Sequence, residues 1–183
     1  MIIKILIAVG IVLVLWIIYS YNILIRWKFR VKNAWSQIDV QLKRRYDLIP
    51  NLVESVKGYM EYEKELLEKI TELRAMAIKA RNLKERGKAE GELSENISRL
   101  LAVVEKYPDL KANKNFLMLQ EELVSTENRI AFARQFYNDC VMNYNTKQEI
   151  FPTNIIAKLF RFKKAEFLLF PQDRGVPTVK FGG

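Results

Sequence analysis

From Ile5 to Ile25 the chain reads ILIAVGIVLVLWIIYSYNILI, 21 residues without a charge. At ~1.5 Å rise per residue, such a helix is roughly 31 Å long, the thickness of a bilayer's hydrocarbon core. Trp16, Tyr19 and Tyr21 fall in its C-terminal half; Arg26, Lys28, Arg30 and Lys32 follow, alternating with Trp27, Phe29 and Val31. That aromatic and basic exit marks a transmembrane helix. A cleaved signal sequence would carry a shorter apolar run of about 7 to 15 residues and a small-residue cleavage site, and Tyr19-Ser20-Tyr21-Asn22 offers none. Lys4 and the amino terminus flank one end, against four cations within seven residues at the other. The positive-inside rule therefore predicts a single-pass protein of the plasma (inner) membrane, its short N-terminus outside and its C-terminal domain in the cytoplasm. Arg26, Lys28, Arg30 and Lys32 are the expected lipid-facing cations, each contributing about 1 kcal/mol beside anionic lipid.

What remains of the 183 residues is enough for one soluble domain with one core. Seven Gly and five Pro are few for this length, which favours helices over a turn-rich β protein. The single cysteine, Cys140, cannot form an internal disulfide and reads as a small buried hydrophobe. The formal charge of +9 is too scattered outside the membrane exit for a nucleic-acid footprint.

Steps of three and four run without a slip through Trp35, Ile38, Leu42, Arg45, Ile49, Leu52, Val56, Tyr59, Glu63, Leu66, Ile70, Leu73 and Ala77. This heptad predicts a helix packed along one seam. Pro50 interrupts it chemically, because its ring removes an amide donor and crowds the carbonyl of Tyr46. The unchanged apolar phase favours a kinked continuous helix over a hairpin broken at Asp47 to Ile49. Residues 79–92 lose the apolar stripe and contain Gly87 and Gly91, which reads as a surface connection. Leu93, Ile97, Leu100, Leu101 and Val104 make a shorter helix stopped at Tyr107-Pro108, with Asp109 or Asn113 as the next cap. In a third run Phe116, Leu123, Ile130, Tyr137 and Tyr144 lie seven apart, flanked by Thr126, Ala133 and Cys140 on one shoulder and Gln120, Glu127 and Arg134 on the other. Beyond Pro152, Ile155, Ile156, Leu159 and Phe160 mix with Lys158, Arg161, Lys163 and Lys164. Core packing and a second membrane contact account for that piece equally well. The last dozen residues look like a loose tail.

The predicted fold is all-α: an N-terminal transmembrane helix, then an antiparallel up-and-down bundle of three to four long helices, the first kinked or broken at Pro50. The corresponding division is an anchor at 1–26, a bundle at 27–162 and a C-terminal tail at 163–183.

In this order the pieces resemble the LemA family of bacterial membrane proteins. The resemblance is carried by Tyr21-Asn22, by the run from Ala34 through Arg44-Arg45-Tyr46-Asp47-Leu48-Ile49-Pro50-Asn51 to Val53, and by Val56-Lys57-Gly58-Tyr59, Glu63 and Arg74-Ala75. It continues with Tyr107-Pro108-Asp109-Leu110-Lys111-Ala112-Asn113, Glu127-Asn128-Arg129-Ile130, Arg134, Tyr137-Asn138 and Tyr144-Asn145. It covers roughly residues 20 to 160, and the tail after Phe162 falls outside it. The resemblance implies a helical bundle beside the inner face of the plasma membrane and no established catalytic activity. Relatives tied to magnetosome-membrane building and to membrane metalloproteases hint, by association, at a membrane-organising or adaptor role.

The residues themselves point the same way. A di-iron bundle needs Glu-x-x-His, and the chain has no histidine. Its absence also removes the ordinary Ser and Cys triads, and leaves Cys140 without an activating base. Glu61, Glu63, Glu65 and Glu68 read as a solvated face, and Gly87-Lys88 lacks the spacing of a phosphate loop. No metal, no cofactor, no small-molecule substrate and no enzymatic activity are expected. Arg45, on the apolar seam, must find a carboxylate or carbonyls, with Glu127 as candidate partner. The block Arg44, Arg45, Asp47, Pro50 and Asn51 is thus first structural and second a docking surface, where a kink at Pro50 exposes acceptors. Tyr137, Asn138, Tyr144 and Asn145 fall on one helical face and suit an internal hydrogen-bond ladder before a ligand-binding one. The leading expectation is a scaffold or adaptor for membrane proteins. The alternatives are a self-assembling, membrane-organising protein that binds anionic lipid, and a regulatory subunit of a membrane protease. Expected partners are the lipid bilayer and either another membrane protein or a second copy of the chain.

Overall fold

A computed structural model describes residues 1–170, the side chain of Glu61 excepted. The last dozen residues, expected to be a loose tail, lie outside the described residues. Helix α1 runs over Ile2–Lys57, 56 residues. A 3-10 turn at Glu61–Glu63 leads into α2, Lys64–Lys79. There follow α3, Leu83–Val104; α4, Pro108–Lys111; α5, Lys114–Glu149; and α6, Thr153–Leu159. The described residues contain no strand. The fold is all-α, with a long N-terminal apolar helix followed by helices that pack antiparallel.

Helix α1 does not break at Pro50; it continues to Lys57. Proline leaves the carbonyl four residues back without its usual donor, and here the Tyr46 carbonyl accepts from Arg74 Nε at 2.7 Å. The chain turns instead at Gly58–Met60, where the amides of Tyr59 and Met60 both donate to the Val56 carbonyl at 3.0 Å. The heptad drawn through that point therefore belongs to two helices. Residues 79–92 are not a surface connection either. The link is only Ala80 to Asn82, and Asn82 caps α3, its Oδ1 accepting from the Glu85 amide at 2.9 Å. Gly87, Ala89, Glu90 and Gly91 are buried. Small residues let another segment approach closely, so a face can be buried without an apolar stripe. As read from the sequence, α3 ends before Tyr107-Pro108, and Asn113 caps α5, accepting from the amides of Asn115 and Phe116.

The described residues divide into two compact units, residues 1–38 with 132–167, and residues 39–131 with 168–170. In the first, residues 1–15 are exposed throughout. From Trp16 one stripe of α1 is covered: Ser20, Leu24, Ala34 and Ile38 are buried at helical spacing. Leu24, Ile156 and Ala157 form a buried cluster against which Trp16, Ile17, Ile23 and Phe162 pack, so α6 lies along the last turns of the apolar stretch. Tyr137, Cys140, Val141 and Tyr144 of α5 are buried as well, with Trp35 edge-on to Tyr137 at 5.5 Å.

The second unit has the larger apolar core. Leu42, Ile49, Leu52 and Val56 of α1, Leu66, Ile70, Leu73 and Ala77 of α2, and Leu93, Ile97, Leu100 and Val104 of α3 are buried, with Phe116, Leu123 and Ile130 of α5. Leu168 and Phe170 are buried in the same unit. An alanine Cβ at Gly87 would lie 2.5 Å from the Leu169 carbonyl oxygen. That glycine is the seat on which this segment rests.

Candidate functional site

Three constellations carry the polar chemistry of the described residues. The first is centred on Arg45, whose side chain is fully buried. Its Nη1 donates to Glu127 Oε1 at 2.7 Å and to Ser94 Oγ at 2.6 Å, and its Nη2 pairs with Glu90. The Tyr46 hydroxyl donates to the other Glu90 oxygen, and Ser94 Oγ donates to Glu127 Oε2 at 2.8 Å. Arg86 pairs with Asp39 at 2.7 Å and lies 4.0 Å from Glu90. Burial pushes the Tyr46 hydroxyl pKa up, against the pull of Arg86 and Arg45. Two guanidinium groups thus face two buried or half-buried carboxylates, which is how a helical core tolerates ions. The arrangement ties α1 to α3 and α5 and fixes their register.

The Arg44 to Asn51 block divides by helix face. Arg45, Tyr46 and Ile49 are buried; Arg44, Asp47, Pro50 and Asn51 are exposed. Arg44 bonds Glu122 through Nε at 2.6 Å, an ion pair near the surface. The Tyr46 carbonyl, the acceptor that Pro50 frees, is used internally by Arg74.

The second constellation is on α5. The Tyr137 hydroxyl donates to the Glu166 carbonyl at 2.9 Å. Asn145 both donates to the Ala165 carbonyl and accepts from the Ala165 amide, each at 2.9 Å. The two side chains hold the main chain at Ala165 and Glu166 through its own amide and carbonyl groups. Tyr144 is buried on the same face, and Asn138 is also engaged. Burial raises the Tyr137 pKa, with the Glu166 charge adding to it, and burial alone raises that of Tyr144. Burial also raises the Cys140 thiol, outweighing Arg30, so little thiolate forms near neutral pH.

The third is an open groove of about 510 Å³ in the first unit, where Tyr21, Tyr144, Phe160 and Phe162 are edged by Lys28, Arg161 and Lys163. Arg26, Lys28, Arg30 and Lys32 are all exposed, Arg30 lying 4.7 Å from the Trp27 ring. Sequence reasoning missed Glu90, Ser94 and Arg74 as partners of the Arg45 block, and Ala165 and Glu166 as what Tyr137 and Asn145 hold. Main-chain acceptors carry no side-chain signature, and Glu90 sits in the glycine-flanked stretch read as a loop.

Residues 34–181 match the sequence profile of the LemA family. The chain belongs to the LemA family. The match extends past Phe162, beyond the last of the motifs that carry the resemblance, consistent with residues 163–170 being packed. Among its relatives, Protein LemA of Metamycoplasma hominis is 32% identical over 141 residues, covering 75% of this chain and 63% of that protein. Magnetosome protein MamQ 2 of Paramagnetospirillum magneticum is 25% identical over 177 residues, covering 82% of this chain and 65% of that protein. Magnetosome protein MamQ of Magnetospirillum gryphiswaldense is 22% identical, with the same shares covered. This LemA-family chain therefore spans a little under two thirds of the length of the relatives it matches.

Proposed function

We propose that this LemA-family chain is a non-enzymatic, single-pass membrane protein whose helical part scaffolds membrane-protein partners at the cytoplasmic face. The observation that carries this reading is the continuity of α1. Residues 1–15 are bare and almost wholly apolar, from Trp16 the same helix is packed by α6, and it runs on without a break to Lys57. Water disfavours four bare turns of apolar side chains, whereas a bilayer takes them readily. A chain that continues from its anchor as helix, with no flexible linker, stays close to the bilayer. That suits positioning of partners better than reaching for diffusing substrates.

The exposed Asp47, Pro50 and Asn51 are the proposed contact residues, beside Arg44. Photoreactive residues at 47 and 51, crosslinked in native membranes, test this. One dominant heterologous protein is the expected result; background labelling from both positions would refute the surface. Crosslinks to the chain itself would favour the second reading, a self-assembling membrane organiser, for which the kinship with proteins named for the magnetosome speaks. Orientation is tested with Tyr62→Cys, at a side chain 95% exposed, since buried Cys140 gives little background. An impermeant maleimide should label it only after the cells are opened; labelling of intact cells would reverse the proposed topology.

A further inference from the structure

We propose that the groove between α6 and the end of the apolar stretch of α1 binds an anionic phospholipid from the cytoplasmic leaflet. The inference rests on the membrane anchoring proposed above and adds a site to it. Helix α6 packs on Trp16, Ile17, Ile23 and Leu24, which belong to the uncharged stretch ending at Ile25. From Trp16 to Ile25 is roughly 13 Å of helix at ~1.5 Å per residue. If Ile5 to Ile25 lies in the bilayer, α6 lies along its inner half and the groove at Lys28 opens at its boundary.

The side chains of α6 and its flanks fit that level. Ile156 and Ala157 are buried against α1, while Phe151, Ile155, Leu159 and Phe160 expose half or more of their surface. A short helix apolar on both sides is at home only where one side meets lipid. At its end the chain turns through Arg161 at φ 55°. The Phe162 amide reaches back to the Ala157 carbonyl at 2.9 Å and the Arg161 amide to that of Lys158 at 3.1 Å, a left-handed helix cap usually filled by glycine. An arginine at this position puts a cation on the rim of the groove. Tyr21 forms the floor, with ring centroids 4.9 Å from Phe160 and 5.7 Å from Phe162. Lys28, Arg161 and Lys163 edge it. Among the described residues none of these three has an ion-pair partner, whereas the neighbouring Lys164 pairs with Glu149 at 2.5 Å. Three uncompensated cations above an aromatic floor at the bilayer boundary match a phosphodiester above its glycerol and acyl chains. A zwitterionic headgroup brings its own cation into the same space and fits less well.

The full chain, reconstituted in phosphatidylcholine nanodiscs doped with phosphatidylglycerol, tests this by native mass spectrometry of retained lipid. The wild type should retain phosphatidylglycerol above its bulk fraction. Lys28→Gln with Lys163→Gln should lower the enrichment about fivefold for each cation removed. Arg161→Gly should lower it similarly while leaving thermal stability unchanged or higher, because glycine takes that backbone conformation freely. Bulk-fraction retention by the wild type, unchanged enrichment in both variants, or full displacement by soluble glycerol 3-phosphate would overturn the lipid site. Alkaline carbonate extraction reports the anchor separately: retention of all variants keeps it, and release of the wild type would overturn both.

Discussion

A buried guanidinium is stable only while its carboxylates stay in place, and the Arg45 cluster has several parts that can be removed singly. Arg45→Ala leaves the buried Glu90 carboxyl with the Tyr46 hydroxyl and, 4.0 Å away, Arg86. It should cost about 3–5 kcal/mol in urea unfolding, whereas Arg44→Ala, at a half-exposed pair, should cost no more than about 1 kcal/mol. Equal costs would contradict the division of this block by helix face. Gly87→Ala inverts the usual helix rule, under which alanine is favoured by about 1 kcal/mol. Here the added methyl meets the Leu169 carbonyl, so the variant should lose stability and free the 168–170 segment to limited proteolysis. The buried tyrosines set the alkaline limit. Tyr46, Tyr137 and Tyr144 all have folded-state pKa values above 10.0. Their ordinary, neutral state is favoured by the fold, so nothing is lost below pH about 10; above it the unfolded chain ionises first and stability falls. Tyr137→Phe should flatten that fall while losing the bond to Glu166, as a pH series of melting temperatures would show. At this scale the sequence identified Arg45 and Glu127, because both lie on or beside a heptad seam. It did not reveal Glu90, since Gly87, Ala89 and Gly91 make a buried face look like a loop.

Helix α1 shows how an element absorbs a local defect. Pro50 costs an internal bond, and Arg74 supplies the Tyr46 carbonyl with another donor from α2. Arg74→Ala should therefore cost about 1–3 kcal/mol, the penalty of an unsatisfied carbonyl. In a Pro50→Ala background the cost should shrink, because the new main-chain amide at position 50 replaces the lost donor; a double-mutant cycle measures the difference. Additivity of the two substitutions would contradict the compensation. The unbroken passage through Pro50 was legible in the apolar phase on either side. The turn at Gly58–Met60 was not, because α2 resumes the heptad in phase: Val56 and Leu66 are both buried, while Tyr59 between them is 43% exposed and Met60 takes the core position. The last helix was ambiguous for a related reason. Composition gave α6 both apolar and basic residues, and only the structure shows that it packs against Trp16 to Leu24.

For the molecule as a whole, helical class, family and a helix able to cross a membrane were all readable from periodicity, motifs and a charge-free run. The division into two compact units was not, because α1 and α5 each contribute to both and leave no boundary in composition. Helix α1 runs on uninterrupted past residue 26. The scaffold proposal therefore requires one physical condition, that the chain leaves the bilayer as helix and enters its packed domain as the same helix. Amide hydrogen exchange on the full chain in nanodiscs, resolved over Arg26 to Ala34, tests it most directly. Protection comparable with that of the flanking turns is the predicted result. Exchange of these amides at the rate of an unstructured linker would contradict it, and with it the scaffold proposal.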